Sequence, residues 1–147
     1  MITNLLVKNF LARLMGGKFL LSLGTILAYP TLDVRNATIT TKTAAYTITQ
    51  ADLDAPTIFD NTGDAGDLPL TLPLASLSAG KVVRAYATAA QTISLTPATG
   101  DIINYNGNAV ASKYCRLAGV IGNYIEVFSD GVQWIVTQGN GVITKEA

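Results

Sequence analysis

The chain has 147 residues, enough to bury a hydrophobic core, and apolar residues make up 49% of it while charged residues make up only 14%. This composition excludes an intrinsically disordered protein. Ten basic residues balance ten acidic ones, so no net positive field favours nucleic acid, and we expect no nucleic-acid partner.

The first 35 residues differ from the rest and are predicted to be a docking or anchoring segment. They carry four basic residues and one acidic residue. Ile2 to Met15 favours a helix, which Gly16 and Gly17 end or hinge. Apolar residues surround most of this helix, so we expect it to be buried on several sides. The residues expected to dock or oligomerise are Leu5, Leu6, Phe10, Leu14, Phe19, Leu20, Leu23 and Ile26.

Three interpretations of this N-terminal segment stay open. A signal peptide has a basic start and an apolar run of about ten residues, but the cleavage site here is weak. A membrane anchor needs about 20 apolar residues, and Arg13 and Lys18 interrupt this run. We favour a segment buried against other subunits, and we do not expect a membrane partner.

From Thr31 onward, short β-type runs alternate with Asp, Asn, Gly and Pro turns. The predicted strands are Asn36–Lys42, Ala44–Thr49, Thr57–Asp60, Leu68–Leu74, Lys81–Thr88, Gln91–Thr96, Asp101–Tyr105, Lys113–Val120, Asn123–Ser129, Val132–Thr137 and Gly141–Thr144. Their number and spacing predict a mainly β fold for residues 36–147, an antiparallel β-sandwich or small jelly-roll-like barrel. The N-terminal segment would form an apolar, partly helical arm on it.

The run Leu68–Leu74 places four leucines on one face and Pro69, Thr71 and Pro73 on the other. Two prolines remove two hydrogen-bond donors from the strand, which predicts an edge strand or an extended arm. An edge of this kind needs covering, and a neighbouring subunit could cover it.

The region around the single tryptophan carries the clearest local signal. Asp130 and Gly131 predict a tight hairpin turn, after which Trp134 lies in the returning strand and covers the core. In the strand before the turn, Ile125 and Val127 lie opposite Glu126, which is predicted to face solvent. Cys115 is the only cysteine, so no intrachain disulfide can form. It lies in an alternating run and is predicted to be a small buried hydrophobic residue.

No pattern of catalytic residues is present. Histidine is absent, which removes Ser/His/Asp and Cys/His sets, and no Walker loop or dinucleotide-binding glycine pattern occurs. The best cation candidate is the acidic group Asp52, Asp54, Asp60, Asp64 and Asp67. It lacks the spacing of an EF-hand and is better interpreted as turn-forming residues in solvated loops. We therefore expect no catalytic residues, no cofactor and no metal.

The order of several short motifs carries a resemblance. They are Tyr46–Asp52, Phe59–Gly63, Leu70–Pro73, Gly80–Val83, Thr92–Pro97, Gly100–Ile103 and Ser129–Trp134. In this order they resemble the β-domain found in many tailed-bacteriophage virion proteins, including fibre, spike and capsid-decorating proteins. The resemblance covers about residues 44–138. It implies an antiparallel β-domain, usually trimeric, displayed on a virus particle.

We therefore expect a non-enzymatic virion structural protein, of the capsid decoration, cement or head-fibre kind, whose partners are itself, as a homotrimer, and other virion proteins. An alternative is a short tail fibre or a receptor- or glycan-binding module, in which Tyr105, Tyr114 or Tyr124 stacks on sugars. A further alternative is a secreted or membrane-anchored β-protein that uses residues 1–28 as signal or anchor.

Overall fold

A computed structural model describes residues 37–147 of the chain. The predicted N-terminal arm, its eight docking residues from Leu5 to Ile26 and the interpretations that compete for it lie outside the described residues. The described part is mainly β, with 43% of its residues in strands and 6% in helix. That much of the predicted fold class is confirmed.

Eleven strands and two short helical turns make up residues 37–147. The strands are β1 (Thr38–Thr41), β2 (Tyr46–Thr47), β3 (Thr57–Asp60), β4 (Leu68–Thr71), β5 (Val82–Tyr86), β6 (Ile93–Thr96), β7 (Ile103–Asn104), β8 (Cys115–Leu117), β9 (Tyr124–Ser129), β10 (Trp134–Asn140) and β11 (Ile143–Lys145). The helical turns are α1 (Gln50–Leu53) and a 3₁₀ turn (Ala75–Leu77). Each predicted strand overlaps one observed strand, because turn residues mark the boundaries.

The strands form two sheets. Sheet A has six strands in the order β1-β3-β5-β9-β10-β7, and sheet B has five in the order β11-β8-β6-β4-β2. From β1 to β9, each strand lies in the other sheet from the strand before it. Strands that are neighbours within a sheet are therefore mostly two steps apart along the chain.

The prediction of an antiparallel fold is wrong for five of the nine strand pairs, and both sheets are mixed. The pairs β1–β3, β3–β5, β2–β4, β4–β6 and β7–β10 are parallel. The pairs β5–β9, β9–β10, β6–β8 and β8–β11 are antiparallel. Parallel neighbours need a crossover connection, and a strand of the other sheet supplies it for β1–β3, β3–β5, β2–β4 and β4–β6.

Both sheets contribute side chains to one buried hydrophobic cluster. Sheet A supplies Phe59, Val83, Ala85, Ile125, Val127 and Trp134, and sheet B supplies Leu68, Leu70, Ile93, Leu95, Cys115 and Leu117. The Trp134 ring is fully buried, and its Nε1 donates a hydrogen bond to the Pro73 carbonyl at 3.0 Å. This bond satisfies the only polar atom of the ring, as a buried indole requires.

The prediction that Leu68–Leu74 forms an edge strand or arm is wrong. Strand β4 lies inside sheet B, between β2 and β6. Pro69 pairs with Ser94 on the β6 side. On the other side, β2 is only two residues long and begins opposite Leu70, so the sheet tolerates a residue without an N–H there. Leu74 is exposed because the chain turns there into the 3₁₀ segment.

The hairpin predicted at Asp130 and Gly131 is confirmed. Strands β9 and β10 pair antiparallel across it, and Gly131 has a φ of 90°, which a residue with a side chain rarely adopts. The Asp130 carboxylate accepts the backbone N–H groups of Val132 and Gln133, each at 2.8 Å. These hydrogen bonds to Asp130 stabilise the turn that leads the chain back along β10 and places Trp134 in the core.

One buried polar side chain, Asn61, connects the end of β3 to the segment between β5 and β6. Its Oδ1 accepts the backbone N–H groups of Thr88 and Ala89 at 2.9 and 3.0 Å. Its Nδ2 donates to the Gln91 carbonyl at 3.0 Å, and the side chain is fully buried. The amide thus satisfies three backbone groups of a segment that has no ladder partner of its own.

Candidate functional site

The candidate site is a cleft on the outer face of sheet A, the face that points away from the shared core. Strand register places two transverse rows of side chains there. The first row is Ile39, Ile58, Arg84, Glu126 and Gln138, and the second is Thr41, Asp60, Tyr86, Tyr124 and Asn140. Because alternate residues of a strand share a face, both rows lie on the side opposite Phe59, Ala85 and Ile125.

The cleft has a volume of about 530 Å³. Its lining residues are Ile39, Ile58, Asp60, Arg84, Tyr86, Thr88, Tyr124 and Gln138. Small-molecule sites in proteins typically have volumes of about 300–1,000 Å³ and combine apolar walls with a few polar groups. The cleft has both features.

An ion pair between β5 and β9 joins the cleft residue Arg84 to Glu126. Arg84 Nε donates to Glu126 Oε2 at 3.1 Å, and Arg84 Nη2 contacts the same oxygen. Thr137 Oγ1 donates to the other carboxylate oxygen, Oε1, at 2.9 Å. Both oxygens of Glu126 are therefore occupied, and the two charges neutralise each other.

The prediction that Glu126 is exposed to solvent is wrong, although the predicted face of the strand is correct. The side chain does lie on the outer face, opposite Ile125 and Val127, but it is only 8% exposed. Arg84 on one side and Thr137 on the other cover it, and both come from neighbouring strands. The alternation pattern gives the face of a residue, and the neighbouring side chains decide its exposure.

Two tyrosines lie next to the ion pair. Tyr86 of β5 and Tyr124 of β9 are directly opposite each other in the ladder, so their side chains lie side by side on the same face. Arg84 Cζ lies 5.8 Å from the centre of the Tyr124 ring, within the range of a cation–π contact. The Tyr124 backbone N–H donates to Asn140 Oδ1 at 2.6 Å, which ties this end of β9 to β10.

The structure brings one of the three predicted tyrosines into the cleft. Tyr105 packs against the hydrophobic core, and Tyr114 contacts the guanidinium of Arg116 at 5.0 Å. Tyr124 lines the cleft together with Tyr86, which the sequence reasoning did not select. Only the register of β5 with β9 places these two rings together, and no sequence motif marks it.

The acidic residues between 52 and 67 have structural roles wherever the structure gives their contacts. Asp52 caps α1 through hydrogen bonds with Thr49, and Asp60 and Asp64 each accept a backbone N–H two residues further on. Asp54 pairs with Lys81 at 3.2 Å. Within residues 37–147, no group of three or more Cys, Asp or Glu side chains could hold a metal ion.

Among the groups whose pKa values are displaced by their surroundings are Asp52 and Cys115. Burial alone would raise the pKa of Asp52, but hydrogen bonds from Thr49 and Tyr46, together with the charge of Lys42, lower it overall. Burial raises the pKa of the Cys115 thiol to about 11, although the charge of Lys145 opposes this. Cys115 is fully buried, as predicted, and its neutral thiol is a poor nucleophile.

Within residues 37–147, no helix is long and apolar enough to cross a bilayer. No protein-family model matches the chain, and none of the curated proteins matches it in sequence.

Proposed function

We propose that the chain is a non-enzymatic structural protein of a bacteriophage virion, of the capsid decoration, cement or head-fibre kind. Residues 1–35 dock it to other virion proteins, and the β-domain assembles with copies of itself as a homotrimer. The order of turn and strand motifs over about residues 44–138 supports this proposal, as does the mainly β architecture. The observation that carries it furthest is an exposed apolar patch.

This patch, the end patch, consists of Leu74, Leu77 and Val132. Their exposed fractions are 42%, 67% and 80%. Leu77 ends the 3₁₀ turn, Leu74 immediately precedes that turn, and Val132 lies in the β9–β10 hairpin. The turn and the hairpin are adjacent because the Gly80 N–H donates to the Ser129 carbonyl at 2.8 Å. Large apolar side chains grouped on a surface favour a protein–protein interface.

The energetic argument for assembly uses these same side chains. Full burial of a Leu or Val side chain contributes about 1.5–3 kcal/mol, so the three residues offer several kcal/mol per copy. Ordering and association costs offset part of this. Repetition over many copies in a shell makes a modest remaining stabilisation large, which is how a decoration protein would strengthen a capsid against internal pressure.

Two experiments test the proposal. In the first, native mass spectrometry of the full chain should give a trimer, and the double variant Leu77→Asp/Val132→Asp should give a monomer. Ile121→Asp is the matched control, because Ile121 is 68% exposed but lies outside the end patch. A monomeric wild type, or equal dissociation of the control, contradicts assembly through the end patch.

In the second experiment, particles with and without the protein are compared for survival after heating and osmotic shock. The proposal expects particles that lack the protein to lose infectivity sooner. Equal survival of the two kinds of particle contradicts a cementing function.

A further inference from the structure

We propose that the cleft on the outer face of sheet A binds a short, uncharged saccharide. This inference goes beyond a structural role in a virion and does not depend on it. It uses Thr88 and residues of β3, β5, β9 and β10, and none of them belongs to the end patch. A failure of one idea therefore leaves the other intact.

The first argument is the pair of aromatic rings. Tyr86 and Tyr124 are direct cross-strand neighbours on one face and both line the cleft. Tyr86 is 38% exposed. Aromatic rings bury apolar area at little conformational cost, and a sugar ring offers an apolar face of C–H groups to pack on them. The hydroxyls of a sugar lie around the edge of that face, so they need polar groups beside the rings.

The second argument is that such polar groups surround the tyrosines. Arg84, Thr88 and Gln138 line the same cleft and provide a guanidinium, a hydroxyl and an amide, while the Asp60 carboxylate beside them is only 5% exposed. Several are held in place before any ligand arrives. Arg84 is fixed by Glu126, and the Thr88 hydroxyl is within hydrogen-bond distance of Thr62 Oγ1, at 2.8 Å. A pre-ordered set of donors and acceptors lowers the entropic cost of binding.

The third argument is charge. The cleft region carries one cation, Arg84, and two carboxylates, Asp60 and Glu126, so its formal charge is negative by one unit. Arg84 is already neutralised by Glu126. Anionic ligands such as phosphate, sulfated sugars or sialic acid would face the Asp60 carboxylate without an unpaired cation to compensate. An uncharged saccharide meets no such repulsion.

An apolar peptide, including the N-terminal segment of this chain, is a poorer occupant. It would cover the exposed Gln138 amide and the half-buried Arg84 guanidinium and remove water from them without supplying side-chain hydrogen bonds. Burying polar or charged groups without such compensation is costly. Saccharide hydroxyls both donate and accept, so they can replace the displaced water.

The test is a titration of the ¹⁵N-labelled full chain, followed by NMR, with uncharged oligosaccharides: cellotetraose, maltotetraose, chitotetraose and mannotetraose. At least one should shift the backbone amides of β5, β9 and β10 in a saturable way. Tyr124→Ala should weaken its binding by about tenfold, whereas Tyr124→Phe, which keeps the stacking ring, should bind nearly as well as wild type. Tyr114→Ala is the matched control, since Tyr114 contacts Arg116 outside the cleft, and it should bind like wild type.

Three outcomes overturn the proposal. The first is that none of the four saccharides shifts any cleft amide. The second is that Tyr114→Ala loses as much affinity as Tyr124→Ala. The third is that sialyllactose, or a synthetic peptide of residues 1–30, shifts the cleft amides while the uncharged saccharides do not. Amide spectra of each variant without ligand show whether it is folded, and Tyr124→Phe provides the comparison if Tyr124→Ala is not.

Discussion

The buried amide of Asn61 provides the sharpest test of how this fold is held together. Asn61→Ala removes one acceptor of two backbone N–H groups, at 2.9 and 3.0 Å, and one donor to a backbone carbonyl, at 3.0 Å. The three backbone groups belong to Thr88, Ala89 and Gln91, in the link between sheets A and B. The substitution leaves the groups in place and removes only their partner.

The expected loss follows from the burial of Asn61. A typical hydrogen bond contributes about 1 kcal/mol net, but a buried group left without a partner costs about 1–3 kcal/mol. Three such groups, with some water entering the space left by the amide, give an expected loss of about 3–5 kcal/mol. This is a large part of the roughly 5–15 kcal/mol by which a domain is stable.

The measurement is equilibrium unfolding in urea, followed by the fluorescence of Trp134, the only tryptophan in the chain. At a slope of about 2 kcal/mol per molar urea, the midpoint should fall by about 1.5–2.5 M. Asn140→Ala is the matched control. Asn140 also accepts a backbone N–H (from Tyr124) and donates to a carbonyl (of Gly122), but it is exposed. Water can replace its bonds, so its loss should stay below about 1 kcal/mol. Equal losses in the two variants would refute the reasoning from burial.

Three further predictions concern close packing and pH. Gly119→Ala should destabilise the protein by about 1–3 kcal/mol in the same urea assay, because the new Cβ would lie 2.4 Å from the backbone carbon of Gln91. Gly66→Ala is the control and should be neutral or slightly stabilising, since no atom lies within 4 Å of its Cβ. Equal effects of the two substitutions would contradict this. The pKa of Asp52 is lower in the folded state, so its contribution is present above the ordinary value of 3.8 and disappears as pH falls below it; unfolding from pH 5 to 2 should show a steeper loss for wild type than for Asp52→Asn. The Cys115 thiol, with its pKa raised to about 11, should react with Ellman's reagent at pH 8 only when the protein unfolds, and rapid reaction of the native protein would contradict its burial. The free energy of unfolding should fall as pH rises above 9, because the thiol of the unfolded chain ionises before that of the folded chain.

Strand positions were predictable from the sequence because local chemistry determines them. The Asp-Gly pair at residues 130–131 predicts the hairpin, and the alternation around Ile125 and Val127 predicts the buried face of β9. Cys115 and Trp134 are buried as their patterns indicated. In each case the deciding interactions lie within a few residues of one another.

The pairing direction was not predictable in this way. A strand has the same alternation in a parallel or an antiparallel pair, and connections as short as residues 61–67 usually belong to hairpins within one sheet. Here every connection from β1 to β9 crosses between sheets, so β4 lies beside β6 and not beside β3 or β5. The same error made Pro69 look like the mark of an edge strand.

The residues of the cleft were even less predictable from the sequence than the pairing direction of the strands. Its two rows join residues up to about 100 positions apart, such as Ile39 and Gln138, and only the register of five strands aligns them. Tyr124 was selected because it is aromatic. Nothing in the sequence marks Tyr86 as its partner or Arg84 as the cation beside it, since each residue alone is typical of a strand surface.

The alternation of strands between the two sheets also determines how the domain can fold and come apart. Neither sheet is made from a continuous piece of chain, since β1, β3 and β5 are interleaved with β2, β4 and β6. Pairing two neighbouring strands of one sheet therefore closes a loop that contains a strand of the other sheet. Such long-range closure slows folding. No cut in the chain separates the layers into two foldable halves. The interleaved strands β3 to β6 should open only with the whole domain, while terminal edge strands such as β1 and β11 can detach alone. On this basis strands β3 to β6 should be the last region of the domain to exchange amide hydrogens.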